Sequence, residues 1–133
     1  MRIGNQQVDR RDADRASHVL LEVSNAMVAL YKGQFGRGPT RARSAWAGPD
    51  VLICTLEDSF TPAERKLTAM GEHQRLRDMR AFMQYATTDD FKQAVEAVTG
   101  RKVRAFVSGT DATSDVSSEV FYLEPLDGDP RGP

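Results

Sequence analysis

The chain has 133 residues, 28% of them charged and 40% hydrophobic, with a formal net charge of −1. That length suits one domain able to bury a core without disulfides or metal, and the near-neutral balance excludes a global basic field for nucleic acid. A single cysteine, Cys54, excludes an intrachain disulfide framework and a cysteine zinc site.

The opening stretch MRIGNQQVDRRDADRAS lacks the apolar segment of a secretory signal. No run reaches the roughly 18 apolar residues of a bilayer span. The expected location is therefore the cytoplasm. Residues 1–14 are polar and dense in charge, and are expected to form a disordered arm. A single domain is expected over 15–126, followed by a disordered tail over 127–133.

The first predicted element is a helix from about Asp14 to Gln34. Leu20, Val23, Met27 and Leu30 step by three, four and three along one face, and Val19 and Tyr31 widen it. Gly33, Gly36 and Gly38 offer left-handed caps. TRARSAW then alternates as a strand, with Arg41 and Arg43 on one face and Ala42, Ser44 and Trp46 on the other. AGPD turns the chain into VLICTLED, an apolar run that reads as a central strand.

TPAE, Thr61 to Glu64, is a capping box with proline at the first helical position. A short helix runs to Met70, and Gly71 ends it. A second helical pattern starts near Glu72. Leu76, Met79, Met83 and Ala86 define its apolar face, and Phe91, Ala94, Val95 and Val98 continue it. The expectation is one helix of about 28 residues, roughly 42 Å long, although TTDD offers a fresh cap. Gly100 ends it. A second hairpin closes the domain: RKVRAFVSG, with Val103, Ala105 and Val107 on one face, then a loop, then SEVFYLE.

Helix, two strands, helices, two strands predicts an α+β, two-layer sandwich. Its four-stranded, mainly antiparallel sheet would carry the helices on one side. The other side is then open, with Arg41, Arg43, Arg104 and Phe106 expected on it. An open, half-apolar face is a candidate partner or dimer surface.

His18 and His73 lie in separate helical patterns without partner histidines, so no metal site is predicted. Cys54 sits where a strand wants a small apolar residue, and reads as a buried inert thiol. Glu57 and Asp58 are strand neighbours facing opposite ways, a poor acid/base pair. Asp111 and Asp115 share a turn without the pattern of a calcium loop. With no paired catalytic groups and no cofactor motif, the chain is expected not to be an enzyme.

GRGPTRAR, Gly36 to Arg43, follows a helix and precedes a strand, the reverse of a P-loop. A helix C-terminus presents carbonyls, the wrong sign for phosphate. Gly36, Gly38 and Pro39 therefore read as a chain reversal with a stiff strand entry. Arg37, Thr40, Arg41 and Arg43 remain as anion- or partner-binding candidates, joined by Arg104 and Phe106 if the open face gathers them.

The ordered motifs GRGPT, LEDSFTPAERKL, RLRDMR, VEAVTGRKV and EVFYLEPL resemble the MpsC-like family. This small bacterial family is named for a sodium-translocating, membrane-potential-generating system. Gly36, Gly38, Pro39 and Thr40 match its G-x-G-P-T. Thr61 and Glu64 match its L-T-x-x-E, with Phe60 in the leucine position. Val95, Glu96, Thr99 and Gly100 match its V-E-x-x-T-G. The resemblance implies an accessory or regulatory component associated with membrane proteins of sodium and inorganic carbon uptake. It brings no catalytic residues. The first functional expectation is an interaction domain that binds a protein partner, itself as a homodimer or a membrane transport component. The alternative is a small-anion or nucleic-acid sensor built on the arginines. The two differ in salt dependence.

Overall fold

The computed structural model describes residues 2–126, with side chains described from Arg10 on; the expected tail over 127–133 lies outside the described residues. The elements in chain order are α1 (Arg2–Phe35), β1 (Arg41–Trp46), β2 (Val51–Glu57), α2 (Pro62–Ala69), α3 (His73–Ala86), α4 (Thr88–Thr99), β3 (Val103–Asp111) and β4 (Val116–Leu123). All strand pairs are antiparallel, in the order β1-β2-β4-β3. Each hairpin contributes an edge strand and a central strand, and β2 joins β4 from Val51 opposite Tyr122 to Glu57 opposite Val116. The α+β order of helix, hairpin, helices, hairpin is as the sequence predicts.

The core lies between one sheet face and the helices. Val23, Met27 and Tyr31 of α1 meet Leu52, Cys54 and Leu56 of β2. Phe91 and Val95 of α4 meet Phe121 and Leu123 of β4. Alternate strand residues point to this layer because successive side chains leave a strand on opposite sides. A smaller cluster of Phe60, Leu76 and Ala112 seats α2 and α3 at the end of the sheet.

Several elements differ from the sequence reading. α1 starts at Arg2 rather than near Asp14. The segment before Asp14 contains no proline, so nothing in it forbids propagation of the helix. The single helix over Glu72–Thr99 is instead two, interrupted at Thr87, whose φ is −115° and ψ 20°. The Thr87 hydroxyl lies 2.9 Å from the Met83 carbonyl and 3.1 Å from Gln34 Oε1. Thr88 bonds back to the Gln84 carbonyl at 3.2 Å. Consecutive threonines that bond back to the preceding turn bend a helix.

The apolar face expected for α3 also differs. Leu76, Arg80 and Gln84 are buried, while Met79 and Ala86 face solvent. In β3 the pairing shifts between Val103 and Ala105. This irregularity puts Val103 into the core and leaves Ala105 and Val107 on the open face, so the three do not share a face. For the same reason Phe106 is not on the open face: it stacks between Phe91 at 5.5 Å and Phe121 at 5.0 Å.

Candidate functional site

The corner after α1 is a joint. Gly36 adopts φ +80° and donates its N–H to the Lys32 carbonyl at 2.9 Å, which closes the helix. Gly38 lets the chain pass Val28, whose Cγ1 would lie 3.4 Å from an added Cβ. Arg37 then turns inward. Its Nη1 donates to the carbonyls of Asp58 at 2.6 Å and Phe60 at 3.2 Å, and its Nη2 lies 3.2 Å from Asp58 Oδ2. Thr40 donates its hydroxyl to the same carboxylate oxygen at 2.9 Å. Asp58 needs this support because it holds φ +59°, rare for a residue with a side chain. The Thr40 hydroxyl, and then Arg37, hold its carboxyl below the usual range. Asp115 completes the joint by accepting the N–H groups of Ser59 at 2.9 Å and Phe60 at 3.0 Å.

A shallow depression of about 310 Å³ beside this joint is lined by Thr40, Arg41, Glu57, Asp58, Ser114 and Asp115. Three carboxylates against one guanidinium give it the wrong sign for an anion. Arg37, Arg41 and Arg43 do not converge there, since Arg37 is spent on Asp58 and Arg41 and Arg43 stand on the open sheet face. Arg104 is on that face too, at the far edge strand, with its guanidinium 5.6 Å from the Tyr122 ring centroid.

The other two motifs also make joints. Thr61 N–H donates to Glu64 Oε1 at 2.9 Å, and Glu64 N–H to Thr61 Oγ1 at 3.2 Å, so the capping box closes reciprocally. Gly100 ends α4 at φ +69°. Glu96 reaches over this end to accept the Val103 N–H at 2.9 Å, tying helix to strand.

What sequence patterns did not reveal is a buried polar row under α3. Arg80, 1% exposed, forks onto Glu64 with Nε–Oε2 at 2.5 Å and Nη2–Oε1 at 2.6 Å. It also donates to the Ser59 carbonyl at 3.2 Å and lies 3.7 Å from the Phe35 ring centroid. Burial pushes the Glu64 carboxyl up, but Arg80 and the Thr61 cap outweigh it and the net direction is down. One turn on, Gln84 donates to Glu119 Oε1 at 2.6 Å, and the Tyr31 hydroxyl donates to the same oxygen. Glu119 is wholly buried and its second oxygen has no partner among the described residues. Burial pushes its carboxyl up to about 7, and burial together with Glu119 raises Tyr31. Cys54, beside Glu119 in the register, is pushed by burial up to about 11 and is a poor nucleophile.

Because α3 buries Arg80 and Gln84 beside Leu76, several of its other apolar side chains face out. Met79 is 38% exposed, Phe82 72% and Tyr85 69%, on one stripe at three-residue spacing. The open sheet face is the second uncovered surface. Across it run Ala45, Ile53, Val120 and Val107, then Arg43, Thr55, Ser118 and Gly109, then Arg41, Glu57, Val116 and Asp111.

The fold is thus a two-layer α+β sandwich whose sequence motifs form internal joints and whose surface carries two uncovered apolar areas. A family model described as Na+-translocating membrane potential-generating system (MpsC) matches residues 17–125, and the chain belongs to that MpsC family. No curated protein and no solved structure matches it. Among the described residues no helix is long and apolar enough to cross a membrane, and no group of three or more metal-ligating side chains occurs.

Proposed function

We propose that the chain is a non-enzymatic accessory component of a Na+-linked membrane-potential system. It works in the cytoplasm by protein contact, and the outer face of α3 meets another component of that system. The observation that carries this reading is the outer face of α3: a helix that buries an arginine and a glutamine while presenting Met79, Phe82 and Tyr85 to solvent. Exposed aromatic side chains on a rigid helix are the usual anchors of a protein interface. Family membership supports the system.

The anion or nucleic-acid reading has less support. Arg37 is tied to Asp58, Phe106 is in the core, and the depression beside Arg41 is lined with carboxylates.

The test is complementation of a strain lacking the chain, read as membrane potential under sodium load. Wild type should restore the potential, and a Phe82→Ser/Tyr85→Ser variant, equally folded by circular dichroism, should not. Full restoration by that variant, or no change of potential on deletion, would overturn the reading.

A further inference from the structure

The open sheet face raises a separate question, because it combines charges of both signs with an apolar row. Arg41 and Arg43 lie on β1, at one edge, and among the described residues neither side chain makes a hydrogen bond or an ion pair. Glu57 on β2 and Asp111 at the end of β3 supply two opposing charges. Arg41, Arg43, Arg104 on β3 and the two carboxylates share the face with an apolar row of Ala45, Ile53, Val120 and Val107. Val107, in that row, is 53% exposed. Val51, Tyr122 and Ala105 extend the apolar area at the same end. A strongly charged partner such as RNA gains little from a surface on which carboxylates stand among the arginines. A copy of the same surface gains from it, provided one rotation brings opposite charges at its two edges together.

One rotation does. We infer that this face docks a second copy of the chain, about a two-fold axis parallel to the strands that runs between β2 and β4. This axis keeps every cross-strand row opposite the same row, and lays β1 of one copy over β3 of the other. Ile53 then lies over Val120 of the second copy and Ala45 over its Val107, so the apolar rows coincide. Arg41 lies over Asp111 of the second copy, once on each side of the axis. A two-fold axis across the strands overlaps the apolar rows only by sliding the charged rows past the partner's end. Sheets packed face to face sit about 10 Å apart with strands within about 30° of each other, a gap that an arginine spans.

Gly109 is an independent pointer. Its backbone is not left-handed, and an added Cβ would meet nothing within 4 Å. A glycine inside a strand weakens it and often marks a site of close approach by another group. Nothing within this chain needs it. In the two-fold arrangement Gly109 sits opposite Arg43 of the second copy, and its missing side chain is the room that the arginine stem occupies.

The contact uses a different face from that of α3, so the two readings fail separately. The experiment is sedimentation equilibrium of the full chain with four variants, each checked for folding by thermal melt. Wild type should be a dimer at about 100 μM. Val107→Lys should weaken the dimer by roughly tenfold or more. Gly109→Val should also weaken it while the melting temperature stays level or rises, since valine suits a strand better than glycine. Arg41→Glu and Asp111→Lys should each weaken self-association, and an equimolar mixture should recover a heterodimer, because in the mixed pair both contacts are complementary again. A monomeric wild type, or a dimer indifferent to both Val107→Lys and Gly109→Val, overturns the second copy as occupant. A dimer broken by those two but not recovered in the mixture overturns the axis.

Discussion

Arg80 and Glu64 show how one carboxylate can serve two joints. Glu64 completes the cap of α2 through Thr61 and anchors α3 through the Arg80 fork. Both partners are almost fully buried, with side chains 2% and 3% exposed. Removing one member of such a pair strands the other charge, which costs about 3–5 kcal/mol. Arg80→Leu should destabilise the fold by that amount in urea denaturation. Adding Glu64→Gln, which keeps the cap and removes the stranded charge, should recover more than half of the loss.

Glu119 carries the opposite sign. Its carboxyl is pushed up to about 7 in the fold, against roughly 4.3 in an unfolded chain. Between those values the unfolded state has released the proton and the folded state still holds it, so stability falls as pH rises through that window and levels off above it. Glu119→Gln should remove this fall. Its stability relative to wild type should therefore increase from pH 5 to pH 8 in urea melts, and a pH-independent difference would show that Glu119 is ionised throughout. Neither buried carboxylate was legible in the sequence. Glu64 showed its capping role because its partner is three residues away. Its second partner is sixteen away, and Glu119's partners Tyr31 and Gln84 are eighty-eight and thirty-five away.

The helices repeat this contrast. α2 and the end of α4 were legible because caps are local. Thr61, Pro62 and Glu64 start one helix, and Gly100 stops another at φ +69°. Gly100→Ala has free space for its Cβ but must hold a left-handed backbone, and should cost about 1 kcal/mol in thermal denaturation. α3 misled for a physical reason. Leu76, Met79, Met83 and Ala86 make a regular apolar stripe, and periodicity assigns such a stripe to the core. It cannot register that Glu64 and Glu119 are waiting beneath the helix. Two buried carboxyl groups draw in Arg80 and Gln84, and the rotation that admits them keeps Leu76 buried but leaves Met79 and Ala86 outside with Phe82 and Tyr85. β3 failed similarly. Its alternation reads correctly from Ala105 to Val107, but one irregular pairing near Arg104 reverses the face of Val103 and sends Phe106 to the core.

For the whole molecule, element order and chain-reversal chemistry were enough to predict a two-layer α+β sandwich with one open sheet face. Both rest on interactions within a few residues: hydrophobic period, capping oxygens, glycines at left-handed positions. The motifs shared with the MpsC family are legible for the same reason, since each forms a joint between neighbouring elements. The arginines divided according to distant partners. Arg37 found Asp58 twenty-one residues on and became part of the frame, while Arg41 and Arg43 stayed on the open face. Surface chemistry follows from that division. Which side chains are left for another molecule depends on which have been claimed from across the fold, and those claims join residues far apart in the chain that no local pattern connects.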